Sequence, residues 1–454
     1  MSDERSERLD RAVALGKRLG ATDVEVSHLG RTFGMARFAS SAITQSGVID
    51  ERTTRIRVAV GDRLGAATTS DLDDAALEAT AALAIAAARS SPPSGSFTGF
   101  TRPGGAAVTA RTDPDPATAA LGPGERADVL GRLFRRAARD RLLLAGSFLT
   151  GTRTRAVATA AGVRALHTGS EAQLSVIAMD GPASGYAIAA STTVARIDAD
   201  TLADEACASA VRARDPIALE PGTTDVVLAP AAVAELLEWL AVGSFSARAV
   251  LDGTSFLAGA ADTPLCDERV TLVDDAGFDH PDLTVTPFDA EGTPRARVVL
   301  VDRGRAGTPL SDLASAARLG APSTGHASPL GWLVTEGPEP AALILVPGAD
   351  TRAELVRRVE RGLFVTRFHY VNGLLDTRRA VMTGMTRDGL FEIRDGQIGR
   401  AVTNLRFTET ILGALARVGG VGAELQAIPG SWVSGSTLCP ALLLRDFHFT
   451  GKSR

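Results

Sequence analysis

The sequence predicts an α+β protein with an N-terminal mixed α/β domain, followed by a β-rich antiparallel C-terminal domain that is barrel-like or sandwich-like. Three observations favour this class. Helical periodicity and alternating strand patterns are interspersed through the first half of the chain. Short alternating strands separated by Gly and Pro turns dominate the second half. The length of 454 residues is sufficient for two domains that each bury a core.

The first domain is expected to span residues 1–220 and to begin with a helix. Leu9, Val13 and Leu15 lie near helical spacing, and Gly20 is placed to end the helix before an alternating strand. The two stretches that follow are expected to form antiparallel strands joined by turns at Gly and Asp. The later elements expected in this domain are the helix DLDDAALEATAALAIAAARSS, the helix GERADVLGRLFRRAARD, three or four strands including AVATAAGVRALHT and EAQLSVIAMDG, and the helix DADTLADEACASAVRARD.

A long exposed loop is predicted at residues 91–124, which are rich in Pro, Gly, Ser and Thr. The domain boundary is expected later, at DPIALEPGTT, residues 215–224, so the second domain covers residues 221–454. Its main predicted strands are VTLVDD, RARVVLVDRG, AALILVPG, GLFVTRFHYV, AVMTGMTRDGLFEIRDGQIGRAV and ALLLRDFHFTG. No internal sequence repeat of solenoid period is visible.

Composition disfavours several classes of protein. The formal net charge of −5 argues against a general nucleic-acid binder, which needs a basic face. The charged start, MSDERSERLD, is unlike a signal peptide, and no apolar run reaches the ~18 residues that a membrane span requires. The three cysteines are isolated and odd in number, which fits a reducing compartment. We therefore expect a cytoplasmic protein that binds neither nucleic acid nor a membrane.

Residues 229–243, APAAVAELLEWLAVG, predict a helix after a short strand. Pro230 suits the first helical turn, where its missing N–H costs nothing. Glu235 and Glu238 lie off the expected apolar stripe, either as an acid/base pair or metal carboxylates, or as solvated charges; the solvated interpretation is favoured. The stripe expected to face the core comprises Val233, Leu236, Leu237 and Leu240.

The segment FDAEGTP, residues 288–294, carries two closely spaced carboxylates. On a strand, Asp289 and Glu291 would point to the same face and could share a proton or bind a cation. A turn at Gly292 and Pro294 explains them equally through hydrogen bonds from side chain to backbone. The turn is the favoured interpretation.

Two further segments are candidates for a peptide groove or an interface. APSTGHAS, residues 321–328, is a loop of small residues that holds His326, and its Ser323, Thr324 and Gly325 backbone could contact a peptide or cap a helix. RFHYVN, residues 367–372, is predicted as a strand with one polar and one aromatic face. The polar face is expected to comprise Arg367, His369 and Val371, and the aromatic face Phe368 and Tyr370. An aromatic core strand is the simpler interpretation of the second segment.

The order of the segments in the second half resembles the TldD/PmbA (TldE) family of peptidase subunits. The matching segments are DVVLAP, DGTSFLAG, FDAEGTP, RARVVLVDRG, ARLGAPSTGHA, LILVPGADTRAELVRRVERGLFVT, TGMTRDGLFEIRDGQIGRAVTNLRF and CPALLLRDFHFTG. The resemblance covers nearly the whole chain and is weaker in the first half. Each motif has low specificity by itself, so the resemblance depends on the order and spacing of the motifs.

The resemblance implies that this chain lacks the zinc site of the family. In that family the TldD-type subunit is a zinc metalloprotease, with two histidines of an HExxxH helix and a later cysteine as ligands. The helix equivalent to the zinc helix contains Glu235 and Glu238 here but neither histidine. Cys439, beside Pro440, comes too late to replace the cysteine ligand. The chain is therefore similar to the PmbA/TldE branch, with no catalytic residue, metal ligand or cofactor of its own.

The same resemblance implies a heterodimer with a TldD-like metalloprotease, which supplies the zinc. Together the two subunits would enclose a chamber for proteolysis of unfolded or leader peptides. An extended peptide can pair its backbone with an exposed strand edge, and a partner subunit can cover such an edge.

Two other functions stay open. One is a stand-alone hydrolase whose non-standard metal site uses His326, His369 and a carboxylate such as Asp289 or Glu291, although no two histidines share a local motif such as HExxH. The other is a binding or regulatory protein without a protease partner, linked in this family to gyrase modulation. The net charge of −5 gives no help to direct DNA contact.

Overall fold

The computed structural model describes residues 2–95, 97–104, 111–112, 114–328, 337–431 and 435–452. These residues form ten α-helices, a 3₁₀ turn and twenty strands. The helices α1 to α10 are Ser2–Arg18, Asp74–Ser90, Pro116–Ala120, Pro123–Arg139, Ala199–Arg212, Pro230–Ser244, Ala247–Leu251, Leu313–Leu319, Arg352–Arg357 and Ile411–Leu415. The strands β1 to β20 are Asp23–Ala39, Ala42–Val60, Arg63–Thr69, Arg111–Thr112, Leu143–Thr159, Arg164–Asp180, Ala183–Ser191, Thr223–Leu228, Leu272–Asp274, Val298–Asp302, Arg305–Ala306, Ala342–Leu345, Arg361–Asp376, Val381–Arg394, Gln397–Ala401, Leu405–Thr410, Val418–Val421, Gln426–Pro429, Ser436–Cys439 and Leu442–Lys452.

The strands up to Ser191 form one sheet, in which the same topology occurs twice. The order helix, three antiparallel strands, helix is found in α1-β1-β2-β3-α2 and again in α4-β5-β6-β7-α5. The two halves meet where β1 pairs with β5. Side chains such as Val24 and Val26 pack against helices, whereas Glu25 between them faces the C-terminal half of the chain. This sheet therefore has helices on one face and the second half of the protein on the other.

Helix α2 packs on β3 and helix α5 packs on β7 with no room for a side chain at one strand position. A Cβ atom at Gly65 would lie 2.2 Å from the Ala84 carbonyl oxygen, and one at Gly185 would lie 2.2 Å from that of Ala206. Each glycine is the third residue of its strand. The two halves of the sheet thus use the same device to bring a helix close to a strand.

The strands from Thr223 onward form a closed barrel and a second sheet. Five strands, β13, β8, β20, β16 and β14, close on themselves because β14 also pairs with β13. The other sheet has the order β11-β10-β9-β12-β19-β18. Helix α6 lies between the two, and its apolar side chains share one core with both. The α+β prediction is confirmed, and of the two forms expected for the second half the structure contains the barrel.

Most predicted elements are found, with three differences. The second half is not purely antiparallel, because β8 pairs in parallel with β13 and β12 with β19. These partners are far apart in sequence, so no hairpin dictates their direction. The predicted turn at Gly and Asp is found between β2 and β3, at Gly61 and Asp62, whereas the β1–β2 turn falls at Ser40 and Ser41, both with positive φ. The short helices α7 to α10 carry too little periodicity to be read from the sequence.

The predicted loop at residues 91–124 is exposed only in part. Phe100 and Thr101 are buried, and the Thr101 carbonyl accepts a hydrogen bond of 2.9 Å from the Thr159 hydroxyl. Helix α3 lies within the segment and α4 begins at its end. Residues 96, 105–110 and 113 lie outside the described part. No helix among the described residues is long and apolar enough to cross a membrane.

The close helix–strand contacts lead to a stability prediction. Gly65→Ala and Gly185→Ala should each lower the free energy of unfolding by about 1–3 kcal/mol, the usual cost of overpacking. The reason is that the new methyl group meets helix backbone, which cannot move aside as a side chain can. Urea denaturation measures the effect. Gly47→Ala is the matched control, since nothing lies within 4 Å of its Cβ position, and a loss of equal size there would contradict the explanation.

Candidate functional site

Helix α6 is buried on almost every side rather than amphipathic. The predicted stripe is confirmed, and Pro230 occupies the first turn, but Glu238 is also only 4% exposed. The expectation that both glutamates are solvated is therefore wrong for Glu238, because the barrel covers one side of the helix and the second sheet the other. Glu235 is half-buried and accepts a hydrogen bond of 3.2 Å from Trp239 Nε1.

A polar cluster surrounds Glu235, which we call the α6 cluster: Tyr186, Glu235, Trp239, Arg367 and Asp388. Arg367 Nε donates to Asp388 Oδ2 at 2.7 Å, and its guanidinium lies 4.2 Å from the centre of the Tyr186 ring. Burial raises the pKa of Glu235, while the hydrogen bond from Trp239 and the charge of Arg367 lower it. Burial likewise raises the pKa of Tyr186 to about 12. The α6 cluster thus combines burial, which raises the pKa of Glu235, with neighbours that lower it, and its residues come from three distant parts of the chain.

The strand that carries Arg367 differs from the predicted alternation. Phe368 is buried as expected, but Tyr370 is 75% exposed and Val371 is buried. The pairing of β13 with β14 shifts between His369 and Asn372, and Tyr370 has a positive φ, so side chains after the shift point to the opposite face. The assignment of Val371 to the polar face and Tyr370 to the aromatic face is therefore wrong. The pKa of His369 is lowered by burial and by Arg367 and Arg387.

The thiol of Cys439 lies against the first turn of α6. Cys439 Sγ donates to the Pro230 carbonyl oxygen at 3.2 Å, and complete burial raises the pKa of this thiol strongly. The Cys439 thiol is thus engaged with the backbone of the helix. Over the parts of the chain that are described, no three His, Cys, Asp or Glu side chains are grouped to hold a metal. The residues around α6 therefore do not fit the zinc ion of an HExxxH helix.

The candidate residues of the two loops meet in one buried cluster, which we call the loop junction: Asp274, Asp289, Glu291, Thr324, Gly325 and His326. Asp289 accepts hydrogen bonds of 2.9 Å from the backbone N–H groups of Glu291, Thr293 and Ala327. These bonds hold the FDAEGTP segment as a turn and fasten it to the 321–328 loop. The favoured turn interpretation agrees with this geometry.

His326 is fully buried within the loop junction. Its Nε2 lies 3.0 Å from Asp274 Oδ1 and its Nδ1 lies 3.0 Å from the Thr324 hydroxyl. Burial raises the pKa of Asp274, but His326, Arg295 and the Ala342 amide together hold it below its usual value. Gly325 has a positive φ and a Cβ there would lie 2.3 Å from the Pro294 carbonyl oxygen. In this chain the histidine fastens the 321–328 loop to the end of β9, and both of its ring nitrogens have partners inside the protein.

Arg57 joins the loop junction to the N-terminal sheet. Its Nη1 donates to Glu25 Oε1 at 3.0 Å and to Glu291 Oε1 at 3.1 Å, and Glu291 Oε2 accepts from the Leu313 N–H at 3.0 Å. The Arg57 guanidinium also lies 5.1 Å from the centre of the Phe100 ring. Burial, the largest cause, and the Glu291 carboxylate raise the pKa of Glu25 to about 7, against the lowering effect of Arg57.

Sequence analysis therefore identified part of this arrangement. It predicted five residues of the loop junction as candidates and, separately, Glu235 and Arg367 of the α6 cluster. The other candidate, His369, lies on β13 close to Arg367. It missed Glu25, Arg57 and Asp274. The sequence feature that could have identified Glu25 is a charge within an apolar strand, as in Val24-Glu25-Val26. Such a charge is common in a sheet that has one solvent-exposed face.

Comparison with known proteins agrees with this architecture. The family described as PmbA/TldA metallopeptidase C-terminal domain matches residues 221–451, and the corresponding domain 1 matches residues 24–88. A curated metalloprotease of Methanothermobacter thermautotrophicus is 26% identical over 209 residues, which are 45% of this chain and 44% of that protein. The chain thus matches less than half the length of this relative.

Solved structures show the same fold. The crystal structure of TldE from Thermococcus kodakarensis superposes with a TM-score of 0.87 at 17% identity, covering 98% of this chain and 100% of the other. A proposed modulator of a DNA gyrase from Thermotoga maritima superposes with a TM-score of 0.82 at 21% identity, covering 98% and 99%. The fold and the matched domains define a protein of the metallopeptidase-like class. The chain belongs to the PmbA/TldD family.

The buried Glu25 predicts a pH dependence of stability. The pKa of Glu25 is raised in the folded state. Its contribution to the free energy of unfolding is therefore fully present below the unfolded pKa of about 4.5 and is lost as the pH rises towards 7. At 1.36 kcal/mol per unit the loss is roughly 3 kcal/mol. Glu25→Gln should make this decline in the free energy of unfolding shallower but not abolish it, because burial also raises the pKa of Asp289 to about 7. Urea denaturation from pH 4.5 to 7.5 tests it, with the exposed Glu51→Gln as control; an unchanged slope in Glu25→Gln would exclude the explanation.

Proposed function

We propose that this chain is a TldE/PmbA-like, non-catalytic subunit that pairs with a TldD-like zinc metalloprotease. The partner supplies the zinc, and the two chains enclose a chamber in which unfolded or leader peptides are cleaved. The observation that carries the proposal is the composition of α6. Membership of the PmbA/TldD family supports it, because the chain has the family fold without the residues for the family's metal chemistry.

The surroundings of α6 support a non-catalytic role in three ways. The helix contains Glu235 and Glu238 but no imidazole, and the nearby Cys439 thiol is buried and donates to the Pro230 carbonyl oxygen. Glu235 is held by Trp239 and lies in the field of Arg367. Water activation on zinc requires several ligands and a free general base. None of these side chains is arranged to supply that combination.

An exposed strand edge in the N-terminal sheet supports a protein partner. Residues 42–53 of β2 pair with β1 on one side, whereas β3 pairs only with Thr54–Val60, so within the described structure the other side of residues 42–53 is unpaired. Ile43 and Val48 are exposed on this segment, Val48 at 69%. A long open edge with apolar side chains invites pairing with another chain. The closed barrel offers no such edge among its five strands.

The stand-alone hydrolase is less well supported by the geometry. It needs His326, His369 and a carboxylate at one metal, but His326 is enclosed by Asp274 and Thr324 in the loop junction while His369 belongs to β13. A binding or regulatory protein without a protease partner is distinguished by the experiments below. A cytoplasmic location remains a prediction from the cysteine content.

Co-expression with a TldD-like subunit that carries HExxxH tests the proposal. The pair should co-purify, contain stoichiometric zinc and cleave an unfolded peptide, with the activity lost on adding 1,10-phenanthroline. This chain alone should contain no stoichiometric zinc and should cleave nothing, because its α6 has no imidazole. Elemental analysis and a peptide-cleavage assay give both results. Chelator-sensitive cleavage by the chain alone would refute the assignment, and failure to pair would favour the regulatory alternative.

The open edge of β2 gives a second, local test. Val48→Lys should weaken association with the TldD-like subunit by about tenfold or more, because a lysine disfavours strand pairing at an exposed edge. Leu83→Lys is the matched control, since Leu83 is a similarly exposed apolar residue, 64% accessible, but on helix α2. Analytical ultracentrifugation or surface plasmon resonance measures the affinities. Equal effects of the two substitutions would exclude the β2 edge as the contact.

A further inference from the structure

The two halves of the N-terminal sheet are related by a constant offset in sequence. Val24 pairs with Val58, and the residues 120 positions after them, Leu144 and Ala178, pair with each other in the same way. The same offset relates the pairing of β2 with β3 to the pairing of β6 with β7. The strands β1 to β3 therefore correspond in register to β5 to β7, and each residue of β2 has an equivalent in β6.

The outer edge of β6 is covered by a segment of this chain. The two residues of β4 pair in parallel with His167 and Thr168. The segment continues along the strand, because the Asp115 N–H donates to the Ser170 hydroxyl at 2.8 Å. The second half of the sheet thus shows which kind of occupant this edge accepts, namely a short extended backbone that runs in the same direction as β6.

The equivalent edge of β2 has no such cover among the described residues. Gly47 and Val48 are the equivalents of His167 and Thr168, and they pair with β1 on one side only. Val48 is 69% exposed, whereas Thr168 is half-buried. The two edges have the same register within the sheet and differ in exposure. The backbone of β2 is therefore placed to accept an extended segment in the way that β6 accepts β4.

The chemistry of this edge suits an uncharged occupant. Residues 42–49, AITQSGVI, contain neither a charged residue nor a proline. They therefore lack the lysines and prolines by which proteins protect an edge that stays exposed. The next charged residues along β2 satisfy each other, since Asp50 Oδ2 lies 2.6 Å from Arg52 Nη2. The edge thus offers backbone groups and uncharged side chains, which an uncharged extended segment matches.

We propose that the TldD-like partner places an uncharged, extended segment of its chain against Gly47 and Val48, running parallel to β2. This inference rests on the proposed function and adds to it the form and the direction of the contact. The form follows from the unpaired backbone of residues 42–53, and the direction from the way β4 lies on β6. A contact of this kind is made mainly by main-chain hydrogen bonds, so it depends little on the side chain at position 48 as long as that side chain is uncharged.

Photo-crosslinking in the complex with a TldD-like subunit tests both the form and the direction. The photoreactive residue p-benzoylphenylalanine replaces Ser46 or Asp50, which are exposed and lie on the same face of β2. Both variants should crosslink to one continuous stretch of the partner, with the site reached from Asp50 about four residues after the site reached from Ser46. Peptide mass spectrometry identifies the sites. The same replacement at Leu83, an exposed position on α2, should give no crosslink to the partner.

The order of the two crosslinked sites in the partner decides the outcome. A reversed order, or crosslinks to separate parts of the partner, would overturn the inference while the pair of subunits itself stands. Crosslinks to a second copy of this chain would assign the edge to a homodimer and would overturn it as well. Failure of the two chains to co-purify would remove the proposed function and this inference together, so the two kinds of failure are distinguishable.

A conservative variant separates backbone pairing from side-chain packing. Val48→Thr introduces the residue type that β6 carries at the equivalent Thr168, and threonine also suits a strand. The affinity for the partner should therefore stay within about threefold of the wild-type value, measured by surface plasmon resonance. A loss of about tenfold would assign the contact to the Val48 side chain and would contradict a contact made by backbone.

Discussion

The burial of helix α6 between the barrel and the second sheet is the constraint on which the rest of the structure depends. A helix enclosed on both sides needs an apolar surface nearly all round, and α6 has one. Its two glutamates must then find partners inside the protein, as Glu235 does with Trp239 and in the field of Arg367. In this chain the surroundings of α6 are filled by packing and internal hydrogen bonds.

The two halves of the chain are joined by charge as well as by apolar contact. Arg57 on the N-terminal sheet bridges Glu25 and Glu291, and the loop junction behind Glu291 is fastened by Asp289 and His326. Breaking one partner of such a network leaves the others buried and unpaired, so the network fixes the relative position of the halves.

The two halves of the chain differ in the strand edges that they expose. The barrel is closed and its strands have no free edge, while residues 42–53 of β2 have one unpaired side within the described structure. An unpaired edge of this kind supports the proposed pairing with another chain, and such a contact needs no reactive group.

The sequence by itself determined the main helices, most strands, the apolar stripe of α6 and the family, because each of these is written in local periodicity or in the order of segments. Only the tertiary structure decided that Glu238 is buried, that Tyr370 and Val371 exchange faces, and that β4 pairs with the edge of β6. The physical reason is that the environment of a charged side chain depends on what packs against it. For Arg57 and Glu291 that neighbour comes from the other half of the chain, at a distance that no local pattern records.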